Sequence, residues 1–241
     1  MRTLVLDIET APHLGWVWSL WDQNVGLSQV EQVGSVICWA AKWSDQRQVL
    51  FASDHHDGHQ SMLEQVWQLL DEADVVVGYN SKNFDLKHLS REFLLAGMPP
   101  PSPWQDVDLL QAVKRRFKFM SNKLDHVAQQ VGLSGKLSHS GFDLWKGCIE
   151  DDPKSWATMK RYNIQDVKLT QELWEVLTPW LPAGPNRALA GGGCPRCGHW
   201  ELIRRGSYRT STAEWQSLQC KGCGGYSRAA RADRRAELRA I

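Results

Sequence analysis

The sequence lacks any long apolar run. No stretch approaches the roughly 20 residues that a membrane-spanning helix needs, which excludes such a helix. No secretory leader is expected either. Leu4-Val5-Leu6 is too short an apolar stretch and runs straight into Asp7, so a cytoplasmic location is expected. Net charge is nearly absent, with 28 Lys and Arg against 27 Asp and Glu, and no internal repeat stands out. What is present is a 42% apolar composition over 241 residues. That excludes disorder, collagen and coiled coil, and it suits one large domain with a core of its own plus a small second one.

The even charge conceals an asymmetry. Residues 194–241 carry ten basic and four acidic side chains, whereas residues 1–193 carry 18 and 23. A basic end on an acidic body points to a negatively charged partner, most simply nucleic acid; a solvated basic tail is the alternative. Four of the six cysteines, Cys194, Cys197, Cys220 and Cys223, form two C-x2-C pairs 22 residues apart. Without a secretion signal this spacing indicates a tetrahedral structural zinc rather than disulfides. Gly198 and Gly224 follow the two pairs and let the backbone turn its amides toward the thiolates. Cys38 lies in an apolar run and is expected in the core.

The hydrophobic pattern predicts strands over 2–8, 35–43 and 48–52, a helix over 61–73 and a short buried strand over 75–77. A helix follows over 84–96, with Asn83 as its N-cap and Gly97 past its end. Further helices are expected over 123–131 and 156–177. Strands followed by alternating helix and strand indicate an α/β fold, a mixed sheet with helices packed on it. The Pro- and Gly-rich stretch 181–193 reads as a linker, 194–227 as a zinc module, and 228–241, rich in Ala, Arg and Glu, as a basic tail with a short exposed helix.

Three stretches carry carboxylates in suggestive places. In Asp7-Ile8-Glu9 the acids are two apart on a strand, hence on one face. In Gly78-Tyr79-Asn80-Ser81-Lys82-Asn83-Phe84-Asp85 a buried strand ends, a turn follows, and Asp85 falls in the first turn of a helix, where the dipole favours an acid. In Tyr162-Asn163-Ile164-Gln165-Asp166 the tyrosine and the aspartate share a helix face. Singly, each has an ordinary explanation as a surface pair, a helix cap or a half-buried tyrosine.

In this order they resemble the motifs of the DEDD exonuclease superfamily. Asp7, Glu9, Asp85 and Asp166 match its four metal-binding acids, and Tyr162, four before the last, matches the tyrosine of its DEDDy branch. The stretch from Gly78 to Asp85 is similar to the proofreading exonuclease domain of family B DNA polymerases. The resemblance covers roughly residues 1–180. It implies a ribonuclease-H-like fold, a mixed five-stranded sheet flanked by helices. It also implies a 3′–5′ exonuclease that hydrolyses single-stranded DNA or RNA to nucleoside monophosphates with two Mg²⁺ or Mn²⁺ ions. On that resemblance Asp7 bridges both ions and Glu9 and Asp166 hold the ion that activates water. Asp85 then acts on the second ion, and Tyr162 orients the water. Converging carboxylates repel one another, and hard cations relieve that repulsion. The alternatives are an endonuclease of the same fold and a non-catalytic nucleic-acid binder tethered by the zinc module.

Candidate nucleic-acid contacts are spread along the chain. Asn80 and Asn83 lie in the second motif. Trp16, Trp18 and Trp21, among thirteen tryptophans, either pack a lid against the core, the favoured expectation, or offer a wall on which bases stack. Lys114-Arg115-Arg116-Phe117-Lys118-Phe119 either grips a phosphate backbone or forms a solvated helix face. Lys136 approaches substrate if the family likeness of 121–136 holds. His55-His56-Asp57 reads as a surface loop rather than a metal site. The module from Cys194 to Cys223 looks like a zinc ribbon presenting Arg204 and Arg205 to nucleic acid; a protein partner is the alternative.

Overall fold

The computed structural model describes residues 1–22, 24–135, 141–181 and 184–239; Lys136 falls outside them. Contacts divide the chain into two compact units, residues 2–173 and, with Met1, residues 174–241.

In the larger unit, β1 (Thr3–Thr10) leads through a projecting arm to the main antiparallel strands. The arm contains the short strands β2 (Leu14–Gly15) and β3 (Val30–Gln32), paired with each other. Then come β4 (Val36–Trp43) and β5 (Leu50–Ser53), followed by α1 (Asp54–Asp57), α2 (His59–Asp71) and β6 (Val75–Gly78). The chain continues through α3 (Asp85–Leu95), β7 (Gln105–Asp108), α4 (Leu109–Arg116), α5 (Leu124–Gln130), α6 (Phe142–Ile149) and α7 (Pro153–Leu177). Five strands form one sheet in the order β5-β4-β1-β6-β7. β1 pairs antiparallel with β4, β4 with β5, and β1 and β6 parallel with β6 and β7. The sheet is mixed and five-stranded, as expected.

β1 is its centre, and the sequence shows why. Leu4, Val5, Leu6 and Ile8 are all buried, the run of apolar residues that a strand covered on both faces requires. One face carries Leu4, Leu6 and Ile8 with Trp39, Ala41 and Trp43 of β4, packed against Met62, Leu63, Val66, Leu86 and Leu89 of α2 and α3. The other carries Val5, Asp7 and Glu9, paired with Lys42, Ala40 and Cys38. α7 lies along this second face: the Lys42 Nζ donates to Gln171 Oε1 at 2.5 Å, and Gln171 Nε2 donates to the Ser44 carbonyl.

Three expectations need correction. Helix α3 begins at Asp85 with Phe84 as its N-cap and no side-chain capping bond, so Asn83, which is exposed, does not cap it. His55-His56-Asp57 is one helical turn, not a loop: Ser53 Oγ accepts from His56 N–H, and the His55 ring stacks on Trp156. Among its described residues the tail is not helical. In the smaller unit β8 (Leu202–Arg209), β9 (Ala213–Cys220), β10 (Tyr226–Arg228) and β11 (Arg234–Arg235) form a four-stranded sheet around β9. Pairing of Arg234 and Arg235 with Glu214 and Ala213 overrides the helix propensity of an Ala- and Arg-rich stretch. Strand β7 and helices α4 and α6 add to the sequence-based elements. Among the described residues no helix is long and apolar enough to cross a membrane.

Candidate active site

The parallel strands β1, β6 and β7 lie side by side; β1 and β7 end in acids, and the turn after β6 leads to Asp85 at the start of α3. This is the edge at which open α/β sheets place ligands. Asp7 and Glu9 project from the end of β1 on the α7 face. α7 brings Asp166 to them: one carboxylate oxygen from each of the three lies within 4.8 Å of the others. Oxygens that share a hard cation at about 2.0–2.6 Å stand up to roughly 4–5 Å apart, so the donor set fits such an ion.

Asp85 reaches the same place from β6. It is buried, and its Oδ1 accepts the backbone N–H of Ile8, the residue between Asp7 and Glu9, at 3.0 Å. Burial pushes its carboxyl up to about 7; the Ile8 amide opposes that and the nearby Asp108 carboxylate adds to it. A cation beside Asp85 acts in the opposite sense and favours the ionised form. Tyr162 is buried with Ile37, Cys38, Leu144 and Met159, edge-on to Trp145 at 6.1 Å between ring centroids. Its neighbour Cys38 is held as a neutral thiol, first by burial and then by the Glu9 and Asp7 charges.

Two residues of this site escaped the sequence reading. Asn163 is fully buried on α7, and its Nδ2 donates to Asp7 Oδ2 at 2.7 Å and to the Asp7 carbonyl at 3.2 Å. Through these two bonds it holds the Asp7 carboxylate in place. Its place between Tyr162 and Asp166 was visible, but nothing in an isolated asparagine signals a contact 156 residues away. Asp108, at the end of β7, accepts N–H groups from Asn80, Lys82 and Gln111. It thereby caps α4 and pins the turn that delivers Asp85. In that turn Asn80 has φ 69°, a left-handed conformation that asparagine tolerates. A Cβ on Gly78 would stand 2.5 Å from that of Ser81, so glycine is required there.

Asn163→Ala tests the orienting role. Losing a residue that orients a metal ligand weakens metal binding by about 10–100-fold. The expected result is a weaker apparent Mn²⁺ affinity by calorimetry, with turnover largely recovered at saturating metal. An unchanged affinity would remove Asn163 from this role.

The other candidates are dispersed. Trp16, Trp18 and Trp21 are exposed at 73%, 96% and 81%, so packing, the favoured expectation for them, is wrong. Packing does account for Trp39, Trp43 and Trp156, which are buried. Lys114, Arg115 and Arg116 are exposed in the last turn of α4, and Phe117 and Phe119 are half-buried together just beyond it. In the smaller unit the four cysteine sulfurs cluster, with Cys194–Cys223 at 3.9 Å and Cys197–Cys220 at 3.6 Å. Tetrahedral zinc with sulfurs at about 2.3 Å places them roughly 3.8 Å apart, so the cluster fits a zinc ribbon. Gly198 and Gly224 each have positive φ, and each donates its N–H to the carbonyl of the first cysteine of its pair. Arg204 and Arg205 are exposed on β8.

Comparison with known proteins gives a consistent picture. A family model described as RNase_H_2, of the RNase_H superfamily, matches residues 25–178. That stretch contains Asp85, Tyr162 and Asp166 and begins beyond Asp7 and Glu9. No curated protein matches the sequence. Among solved structures, the family B DNA polymerase of the hyperthermophilic archaeon Pyrobaculum calidifontis is similar, with a TM-score of 0.57 at 23% identity. The match covers 74% of this chain and 25% of the polymerase, so the likeness is one of fold and the chain spans about a quarter of that protein's length.

Proposed function

We propose that this chain, which belongs to the ribonuclease H superfamily, is a 3′–5′ exonuclease acting on single-stranded DNA or RNA through two divalent cations. The ribonuclease-H-like fold supports a nuclease and therefore a nucleic-acid substrate. The finer reading rests on one observation: Asp7, Glu9 and Asp166 converge within 4.8 Å, and Asp85 bonds to the backbone between the first two. Asp7, Glu9, Asp85 and Asp166 would hold Mg²⁺ or Mn²⁺. Such ions supply a lowered pKa for bound water and neutralise charge developing on a phosphodiester.

The chain's own residues do the positioning. Asn163 sets the Asp7 carboxylate, Asp108 sets the turn before Asp85, and Tyr162 orients the attacking water by a hydrogen bond. Hydrolysis forms a bond from water oxygen to phosphorus and breaks the bond from phosphorus to O3′, which takes up a proton. The products are a nucleoside monophosphate and a shortened strand. We assign 1–180 to the exonuclease domain, 181–193 to a linker, 194–227 to a zinc ribbon and 228–241 to a basic tail, whose β11 pairs back onto β9 of the ribbon. Arg204 and Arg205 on the ribbon, with Lys114, Arg115 and Arg116, would take the phosphates; Asn80 and Asn83, in the turn before Asp85, would contact the substrate.

The test uses 5′-labelled DNA and RNA strands with Mg²⁺ or Mn²⁺. A ladder of successively shortened strands supports the exonuclease. Discrete internal cuts convert the assignment to an endonuclease, and retention without hydrolysis to a binding protein. In the same assay Tyr162→Phe is expected to slow turnover by about 10–100-fold, the worth of one hydrogen bond near charge. Its thermal midpoint should stay close to wild type, because the ring remains among the same neighbours.

A further inference from the structure

We propose that the tryptophan arm between β1 and β4 is a base-stacking platform, which receives unpaired bases of the strand entering the acid pocket through Trp16, Trp18 and Trp21. This rests on the nuclease reading and adds to it the part of the substrate that the arm recognises.

Location is the first argument. β1 carries Asp7 and Glu9 and passes through Thr10 directly into the arm. The two legs of the arm are tied together at that point. Ala11 N–H donates to the Ser35 carbonyl, Gly34 N–H donates to His13 Nδ1, and Arg91 of α3 donates to the Gly34 carbonyl. A Cβ on Gly34 would stand 2.1 Å from the Ala11 carbonyl oxygen, so the legs touch. The arm is therefore rooted beside the metal-holding acids.

The second argument is the surface it presents. The exposures of 73%, 96% and 81% leave the three indoles showing on the order of 500 Å² between them. Leu20 and Leu27 are exposed beside them in sequence. The arm's frame is nonetheless held. Trp16 N–H donates to the Gln29 carbonyl, and Gln29 Nε2 donates back to the Trp16 carbonyl. Gln29 Oε1 accepts from Gly26 N–H. A segment tied at Trp16, Gly26 and Gln29 that displays indoles to water instead of burying them suits a ligand with flat apolar faces.

Charge selects which part of a nucleic acid that is. Residues 11–34 contain no Lys and no Arg, while Asp22 and Glu31 are acidic. Phosphates are repelled here, and bases, which offer a π-face whatever their identity, are what the surface accepts. The phosphates fall to cations elsewhere, among them Lys114, Arg115 and Arg116. Stacking and counterion release then separate cleanly, because only the second depends on salt.

The experiment measures binding of a short 3′-labelled oligonucleotide to the full chain, without added Mg²⁺ or Mn²⁺, across a series of salt concentrations. Base stacking is lost at about 5- to 150-fold in affinity per base. Trp18→Ala is expected to weaken binding within that range with the salt slope unchanged. Trp18→Phe should restore most of it. Arg115→Ala should instead lower the slope by about 1. The Trp18→Ala effect should vanish on a strand whose 3′-terminal nucleotides are abasic. An exposed side chain carries little stability, so the variants fold. Equal affinities of wild type and Trp16→Ala/Trp18→Ala would overturn the proposal. So would a drop that persists on abasic strands, or a wild-type dimer that the double variant turns into a monomer without loss of binding; the last identifies the arm as a contact between copies. Wild-type hydrolysis with metal added tests the nuclease reading separately, so either can fail while the other stands.

Discussion

Asp7→Asn is expected to abolish hydrolysis, by at least about a thousandfold, the scale of losing a charge-stabilising group in an active site. The substitution is nearly isosteric. The asparagine keeps a side-chain oxygen where Asp7 Oδ2 accepts the Asn163 amide at 2.7 Å, so the local structure has no reason to rearrange. What disappears is one unit of negative charge from three carboxylates that approach within 4.8 Å. Without divalent metal that loss removes repulsion, and the variant should melt at or above the wild-type temperature. With metal, the stabilisation that Mg²⁺ or Mn²⁺ gives wild type should be reduced or lost. Dead enzyme, an intact fold and a diminished metal-induced shift together identify Asp7 as a ligand. Undiminished turnover by the purified variant would end the assignment.

The acids of this site were legible because their geometry is local. A two-residue offset on a strand and a four-residue offset on a helix fix which side chains share a face, whatever the rest of the fold does. Their convergence was not local, and it came from the family resemblance. Asp108 and Asn163 stayed hidden for the same reason. Each acts on backbone or carboxylate groups far away in sequence, and neither residue type announces that use. The arm shows a different limit. Tryptophan in a long connection is most economically read as packed, and only its surroundings show that Trp18 meets solvent. The tail shows a third. Arg and Ala favour helix by propensity, but Arg234 and Arg235 find the free edge of β9, and such pairing is invisible until the partner strand is in place.

The second large effect is expected in the smaller unit, from Cys220→Ser. Cys220 ends β9, the strand on which β8, β10 and β11 all pair. Among the described residues of 191–239, Cys194, Cys220 and Gly225 alone are buried. A sheet with so little apolar interior cannot offset its conformational entropy by burial. Something else must hold it, and the four sulfurs within 4.8 Å are the available means. Structural zinc contributes on the order of 10 kcal/mol or more to small modules of this kind, far beyond what the exposed pair Arg209–Glu214 gives. Cys220→Ser should therefore reduce bound zinc from about one per chain to none. Hydrogen exchange of the β8 and β9 amides should rise to the level of unfolded chain, while peptides from β1, β4 and β6 keep their protection. Where Arg204 and Arg205 carry phosphate contacts, the same variant should also lower the salt slope of oligonucleotide binding. Full protection of β8 and β9 in zinc-stripped protein would show that the sheet stands without the metal, and the cysteines would need another explanation.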